Sequence, residues 1–213
     1  MRSEKSSSGQ KRSFIEQARR AQMIRCAIDV IAELGLPRAS LAEIAKRAGV
    51  SKSAVLYHFA DRDELITEVL TAVLSAGASY IGERLPGDGT PADELRAYVA
   101  ANVRYIAEHR DDVRVLTSIA MNFTTDDGDS KLQHDASVYG VALAPLQDIL
   151  TRGQAAGQFT DFDTRTMAMT IRAAIDAIGP QLWVIPDLDL ELYGRELTAL
   201  VDRATRADPG RTG

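Results

Sequence analysis

Apolar residues recur at every third or fourth position along this chain, in blocks separated by glycine, proline and clustered polar residues, which is the helical period. From Phe14 to Leu34, Ile24, Ala27, Ile28 and Ile31 form one stripe, and Val30 with Leu34 adds a second. Gly35 can end that helix in a left-handed conformation, and Pro37 blocks its continuation. Ser40 and Glu43 have the spacing of a capping box. Leu41, Ile44 and Ala45 then make a short apolar face up to Ala48, and Gly49 permits a tight turn. Ser51 offers the next cap, for a helix running to about Phe59. Asp61 with Glu64 repeats the capping spacing and opens a long helix on Leu65, Ile66, Val69, Leu70, Val73 and Leu74, reaching about Arg84. Pro86-Gly87-Asp88-Gly89 breaks it.

The rest also predicts helices, over 93–108, 111–123, 132–156, 164–182 and a last one aligned on Leu190, Tyr193, Leu197, Leu200 and Val201. Three aspartates and a glycine within 124–130 predict a loop, Pro145 can kink the helix after it, and Gly157 closes that helix. No segment alternates with period two. The expectation is an all-α fold of about nine helices, with no sheet and no internal repeat.

The stretch 40–66 carries the sharpest functional signal. Two short helices around a glycine, followed by a third helix start, are the sequence form of a helix-turn-helix. A major groove about 12 Å wide admits one helix, and the second helix of such a pair presents its first turn to the bases. That turn is Ser51, Lys52, Ser53 and Ala54. The small residues allow close approach, and the hydroxyls with Lys52 can bond to base edges or phosphates. Tyr57 and His58, one turn on, suit phosphate oxygens. Val50, Val55, Leu56 and Phe59 are expected to anchor the helix, while Lys46, Arg47 and Arg62 add positive charge.

Charge sharpens this picture. The chain of 213 residues has a net charge of −5. Residues 1–60 carry 11 Lys+Arg against 5 Asp+Glu, whereas 61–213 carry 14 against 25. A basic head on an acidic body lets the head meet a polyanion. Hydrophobic content of 45% and charged content of 26% are ordinary for a globular protein. The single cysteine, Cys26, excludes an internal disulfide and fits a reducing cytoplasm. No apolar run approaches the roughly 20 residues of a membrane span, so no membrane partner is expected. No apolar core follows the basic, serine-rich start, so it does not read as a signal peptide.

Residues 14–84 resemble the N-terminal domain of tetracycline-repressor (TetR) family transcriptional regulators. The resemblance is carried by Glu33-Leu34-Gly35, by Ile44-Ala45-Lys46-Arg47-Ala48-Gly49-Val50, by Ser51-Lys52-Ser53, by Tyr57-His58-Phe59 and by Arg62-Asp63-Glu64-Leu65-Ile66. It implies base contacts at Lys52, Ser53 and Ala54, a further one near Ala42, and phosphate contacts at Ser40, Tyr57, His58 and Arg62. Many members have a phosphate-binding tyrosine where this chain has Leu56, and Ala54 often stands where relatives have threonine. The low-complexity segment 1–12, with Ser6, Ser7, Ser8 and Gly9 between Lys5 and Lys11-Arg12, reads as a disordered basic arm; with the resemblance, the organisation expected after it is a helix-turn-helix domain at 13–60, a connecting helix at 61–84, a ligand-binding and dimerisation domain at 85–208, and a flexible tail at 209–213. It implies a double-stranded DNA operator, an unidentified small-molecule effector, and a homodimer formed through the last two helices. The faces of 164–182 and 190–201, rich in Ala168, Ala173, Ala174 and Ala177, fit such close helix pairing.

The effector is less readable. Arg104, Tyr105, Met121, Asn122, Phe123, His134, Tyr139, Met167 and Trp183 are candidate pocket residues, being large, soft or polar side chains in apolar surroundings. For each the plainer reading is core packing, and His109 beside Arg110 and two aspartates reads as a solvated helix end. His58, His109 and His134 lack metal-ligand spacing, and no glycine-rich phosphate loop is present. No metal or cofactor is implied, and the chain is not expected to be an enzyme. The expectation is a cytoplasmic, ligand-responsive DNA-binding transcriptional regulator, a homodimeric repressor released from a palindromic operator by a small molecule. Two alternatives remain: an all-helical small-molecule carrier or enzyme with a structural head, and a DNA-binding activator with a protein partner.

Overall fold

The computed structural model describes residues 4–124 and 136–207, with side chains for 14–124 and 143–207. In chain order the helices are α1 (Glu4–Leu34), a 3₁₀ turn (Leu36–Arg38), α2 (Leu41–Ala48), α3 (Lys52–His58), α4 (Arg62–Gly82), α5 (Pro91–Glu108), α6 (Arg110–Asn122), α7 (Ala136–Ala155), α8 (Thr164–Asp176), α9 (Ile178–Val184) and α10 (Leu190–Thr205). The fold is all-α. The nine expected helices are present, with that over 164–182 divided at Ala177 into α8 and α9. Among the described residues the only β-type pairing is an isolated antiparallel bridge between Phe159 and Arg206.

α1 is helical from Glu4, where the sequence predicts an unstructured arm. Glu4, Lys5, Gln10, Lys11 and Arg12 are good helix formers, and elongating an existing helix avoids the cost of a new nucleus. The buried stripe of α1 is Met23, Ala27, Val30 and Ile31. Ile24 and Ile28, expected in that stripe, are half-buried.

The chain divides into two units, Met1–Leu74 with Arg114–Phe123, and Ser75–Val113 with Thr124–Gly213. In the first unit Leu65, Ile66, Val69 and Val73 of α4 and Val115 and Ile119 of α6 are buried. Ser118, also buried, accepts the Leu36 N–H at 2.8 Å. The compact head therefore includes part of α6 and most of α4, a boundary that local pattern could not give. By length and composition α4 could cross a membrane, contrary to the expectation from the sequence, but buried core helices pass the same test.

In the second unit Val99, Val103 and Ile106 of α5 join Leu146, Ile149 and Leu150 of α7 and Ile171 and Ile175 of α8 in one core, completed by Leu197 and Val201 of α10. α5 starts with a capping box: Thr90 Oγ1 accepts the Asp93 N–H at 3.2 Å, and Asp93 Oδ2 accepts the Thr90 N–H at 3.1 Å. The Thr90 hydroxyl and then Arg96 hold the Asp93 carboxyl below its usual range. Thr90→Ala should lower the thermal midpoint by a few degrees, since losing an N-cap costs about 1 kcal/mol and each kcal/mol is worth about 2–4 °C at this size. Because the folded-state pKa of Asp93 is depressed, its ionised contribution is complete above about pH 3.9 and is lost as pH falls through the folded value. The gap between wild type and variant should therefore narrow in acid, as melts across a pH series will report.

Candidate nucleic-acid interface

Three local devices set α2 and α3. Ser40 Oγ accepts the Glu43 N–H at 3.2 Å and caps α2. Gly49 then adopts φ 68° and ψ 31°, a left-handed conformation that costs other residues roughly 1–2 kcal/mol. Ser51 Oγ accepts the Ala54 N–H at 3.1 Å and caps α3. Val55 and Phe59, one helical turn apart, are buried together with Ile44, Ala45 and Ala48. That inner face fixes the outer one.

The outer face carries most of the expected DNA contacts. Ser51, Lys52, Ser53 and Tyr57 are exposed, Tyr57 to 76%, while Ala54 and His58 are half-buried. Ser40 and Ala42 are exposed around the start of α2. A capping serine spends its oxygen lone pairs on a backbone N–H but keeps its O–H as a donor. Ser40 and Ser51 can therefore cap a helix and still donate to a phosphate, which offers only acceptors. Ser51 Oγ and Ser53 Oγ lie 2.9 Å apart, within one hydrogen bond. The Tyr57 and His58 rings meet edge to face at 5.2 Å.

Three expectations change. Leu56, expected as an anchor, is 43% exposed, because Val55 and Phe59 already occupy the inner stripe. Arg62, expected on phosphate, donates through Nε to the Ala39 carbonyl at 3.1 Å and through Nη2 to the Leu36 carbonyl at 2.5 Å. It ties the start of α4 to the turn before α2. Arg47 forms a two-point pair with Glu33, at 2.9 and 2.5 Å, so its charge is largely balanced. Arg47 in turn holds the Glu33 carboxyl below its usual range through that hydrogen bond.

Sequence reasoning passed over Arg20. Its Nη1 donates to the backbone carbonyl of His58, and its Nη2 pairs with Glu64 at 2.7 Å and Glu68 at 2.8 Å. Its guanidinium lies 4.3 Å from the centroid of the Phe59 ring. A signal was present: Arg20 is three and seven residues before Met23 and Ala27, on the buried face of α1.

The described candidate effector residues fall in both units. Met121 and Asn122 are exposed and Phe123 is buried, all in the first unit. In the second unit Trp183 is 63% exposed, and Met167 packs against the core. Arg104 lies in an open groove of about 910 Å³ between α5 and α10. Tyr105 is buried and donates to Asp112 at 2.6 Å; burial, then that carboxylate, push its phenol up. His134 and the side chain of Tyr139 lie outside the described residues, as do 125–135 and the tail at 209–213. His109 is half-buried, with its ring stacked on Tyr105 at 4.4 Å and 17°, rather than solvated.

Arg172 on α8 is a second residue the sequence reading missed. It donates to Asn102 Oδ1 at 3.0 Å and pairs with Asp176 at 2.5 Å. Asn102 is itself buried and donates to the Tyr98 carbonyl at 2.8 Å. An arginine four residues before an aspartate, on a helix whose Ala168, Ile171 and Ile175 are core, was the available signal.

The apolar face of α8 proves to be internal: Ala168, Ile171 and Ile175 pack in their own chain. The exposed apolar residues on the last helices are instead Met169, Trp183, Val184, Leu192 and Leu200.

Residues 24–69 match the profile described as bacterial regulatory proteins, tetR family. Residues 88–179 match one described as tetracyclin repressor-like, C-terminal domain. The HTH-type transcriptional regulator BetI of Stenotrophomonas maltophilia (strain R551-3) is 37% identical over 92 residues, 41% of this chain; that match spans only 45% of the relative's length. BetI of Burkholderia ambifaria (strain MC40-6) is 29% identical over 174 residues, covering 80% of this chain and 82% of the relative. A crystal structure of native NalD, described as the secondary repressor of the MexAB-OprM multidrug efflux pump in Pseudomonas aeruginosa, aligns with a TM-score of 0.71. The alignment has 20% identity and covers 92% of this chain and 99% of NalD.

Proposed function

The chain belongs to the tetR family of bacterial regulatory proteins, and we propose that it acts as a homodimeric repressor released from a palindromic operator by a small molecule. It is a ligand-responsive, DNA-binding transcriptional regulator. The reading of this chain's own interface rests on one observation: α3 is held on its inner side by Val55 and Phe59 while Ser51, Lys52, Ser53 and Tyr57 face outward. Lys52, Ser53 and Ala54 read bases, with Ala42 beside them. Ser40, Ser51, Tyr57 and His58 hold phosphates. Arg62 supports the motif from behind.

Two heads related by a two-fold axis read half-sites about 34–36 Å apart or a multiple of that. The effector favours a state in which the heads no longer match that spacing, so DNA and effector oppose each other reciprocally. Repression is carried over from the description of NalD. The protein acts without catalysis, in the cytoplasm where the bacterial chromosome lies.

Selection of bound duplexes from random DNA is the direct test. An enriched palindrome is expected; recovery of no sequence, or of an asymmetric one, overturns the reading. Affinity for the selected duplex should fall steeply with salt, because phosphate contacts release counterions.

The dimer is proposed through the exposed Met169, Trp183, Val184, Leu192 and Leu200, large apolar side chains left on the surface of the last helices. Leu192→Glu with Leu200→Glu should give a 23.1 kDa monomer by light scattering, with weakened operator binding. A dimer that survives both substitutions removes these helices from the interface.

A further inference from the structure

We infer that Arg20 is a positioning residue for DNA recognition: from behind, it fixes the last turn of α3, and with it the direction of Tyr57 and His58. The inference rests on the reading of α3 as the helix that docks on DNA.

α3 has seven residues, about two turns, too few to persist without outside support. Its first turn is capped by Ser51, and its inner face is held by Val55 and Phe59. The carbonyls at its C-terminal end lack helical partners. The Phe59 N–H closes the Val55 carbonyl at 3.0 Å. The His58 carbonyl is met by Arg20, from a helix 38 residues earlier.

Arg20 joins α3 and its cap to α4 with one rigid plane. Nη1 is on the His58 carbonyl, the plane covers Phe59, and Nη2 is on Glu64 and Glu68 of α4. Glu64 is oriented in its turn, because its other oxygen accepts the Ala60 N–H at 2.6 Å. The fork of an arginine suits this task. Lysine has a point charge and no plane to lay on Phe59. The arrangement also says what Arg20 does not do. Both terminal nitrogens are already engaged with groups of the head, so the residue is not presented to DNA as a free cation. Tyr57, the residue before His58, is exposed to 76%, and a small tilt of the last turn moves its hydroxyl relative to any phosphate.

The test uses the full chain and the duplex that wild type selects, titrated by fluorescence anisotropy over a range of salt. Arg20→Gln should weaken binding about tenfold, with the slope of log affinity against log salt unchanged. Arg20→Lys should recover only part of that loss. Glu68→Gln is the sharper variant. Removing a carboxylate from a DNA-binding head tightens binding on charge alone, whereas loosening Arg20 weakens it; a fall of about threefold is expected. In the free protein, hydrogen exchange should quicken over 52–58 in Arg20→Gln and stay unchanged over 91–108.

Wild-type affinity in Arg20→Gln overturns the inference. So does a slope reduced by about 0.9 per head, which marks Arg20 as a phosphate contact, or tighter binding by Glu68→Gln. The exchange arm needs no DNA. If wild type selects no duplex, the proposed function fails, and unchanged exchange over 52–58 still decides against Arg20 separately.

Discussion

Gly153→Ala should lower the unfolding midpoint by about 6–12 °C. On helix propensity alone the change is favourable, since alanine is worth about 1 kcal/mol over glycine inside a helix. Packing reverses the sign. A Cβ at Gly153 would lie 2.0 Å from Cδ2 and 2.1 Å from Cε2 of Phe159. Those atoms belong to a buried ring, not to the loose end of a long side chain. The backbone beneath the ring is also tied. The Gly153 carbonyl accepts from Gln158 N at 2.9 Å and from Phe159 N at 3.2 Å. Thr160 N reaches the Thr205 carbonyl at 2.9 Å, and Ala207 N the Gln158 carbonyl at 3.0 Å.

The ring must therefore leave its site or α7 must shift. Forcing extra carbon into a packed core costs about 1–3 kcal/mol, and expelling a phenyl ring costs about 3–5 kcal/mol. A net loss of about 3 kcal/mol corresponds to that fall in midpoint at about 2–4 °C per kcal/mol. A double-mutant cycle isolates the cause. In a Phe159→Ala background the clash is gone, and Gly153→Ala should become neutral or stabilising. A single Gly153→Ala variant that melts at or above wild type would falsify the contact.

That contact was not legible in the sequence, and the reason is physical. Gly153 and Phe159 meet because the chain reverses after α7, where Gly157 has φ 67°. Periodicity describes one helix at a time and says nothing across a reversal. The same limit hid Arg20, whose partners on α3 and α4 are 38 to 48 residues away. It also hid the joining of Leu36 to Ser118, 82 residues apart. What could be read was local. Ser40, Gly49 and Ser51 announce two caps and a turn through chemistry confined to four residues, and the structure forms all three. Leu56 shows the boundary between the two kinds of information. Its apolar character suggested an anchor, but which of several apolar residues on a two-turn helix faces inward depends on α1 and α2. Beyond α4, size and softness could not separate a pocket from a core. Met167 packs, Met121 and Trp183 are exposed, and no motif told them apart.

Lys52→Ala and Tyr57→Phe should separate reading from holding on the DNA-facing side of α3. Lys52 is the first residue of the helix and is exposed, and we propose that it reads a base edge in the groove. Its loss should remove discrimination as well as affinity, because a good base contact is worth about 1–3 kcal/mol against the wrong base. With one contact in each head of a dimer, a loss of about 1.4 kcal/mol per head gives roughly a hundredfold weaker binding to the selected duplex. Binding to random DNA should change much less. Tyr57→Phe removes only a hydroxyl from an exposed ring and leaves the edge contact with His58 in place. A neutral hydrogen bond is worth about 0.5–1.5 kcal/mol, so the expected loss is about tenfold in a dimer. That loss should be nearly equal for selected and random duplexes, because phosphates carry no sequence. Anisotropy titrations against both duplexes read the two patterns, and light scattering checks that each variant keeps the oligomeric state of wild type. If Lys52→Ala weakens both duplexes equally, lysine holds the backbone and the base reading falls to Ser53 and Ala54. If it weakens neither, α3 does not enter the groove by its first turn, and the assignment of the whole face is wrong.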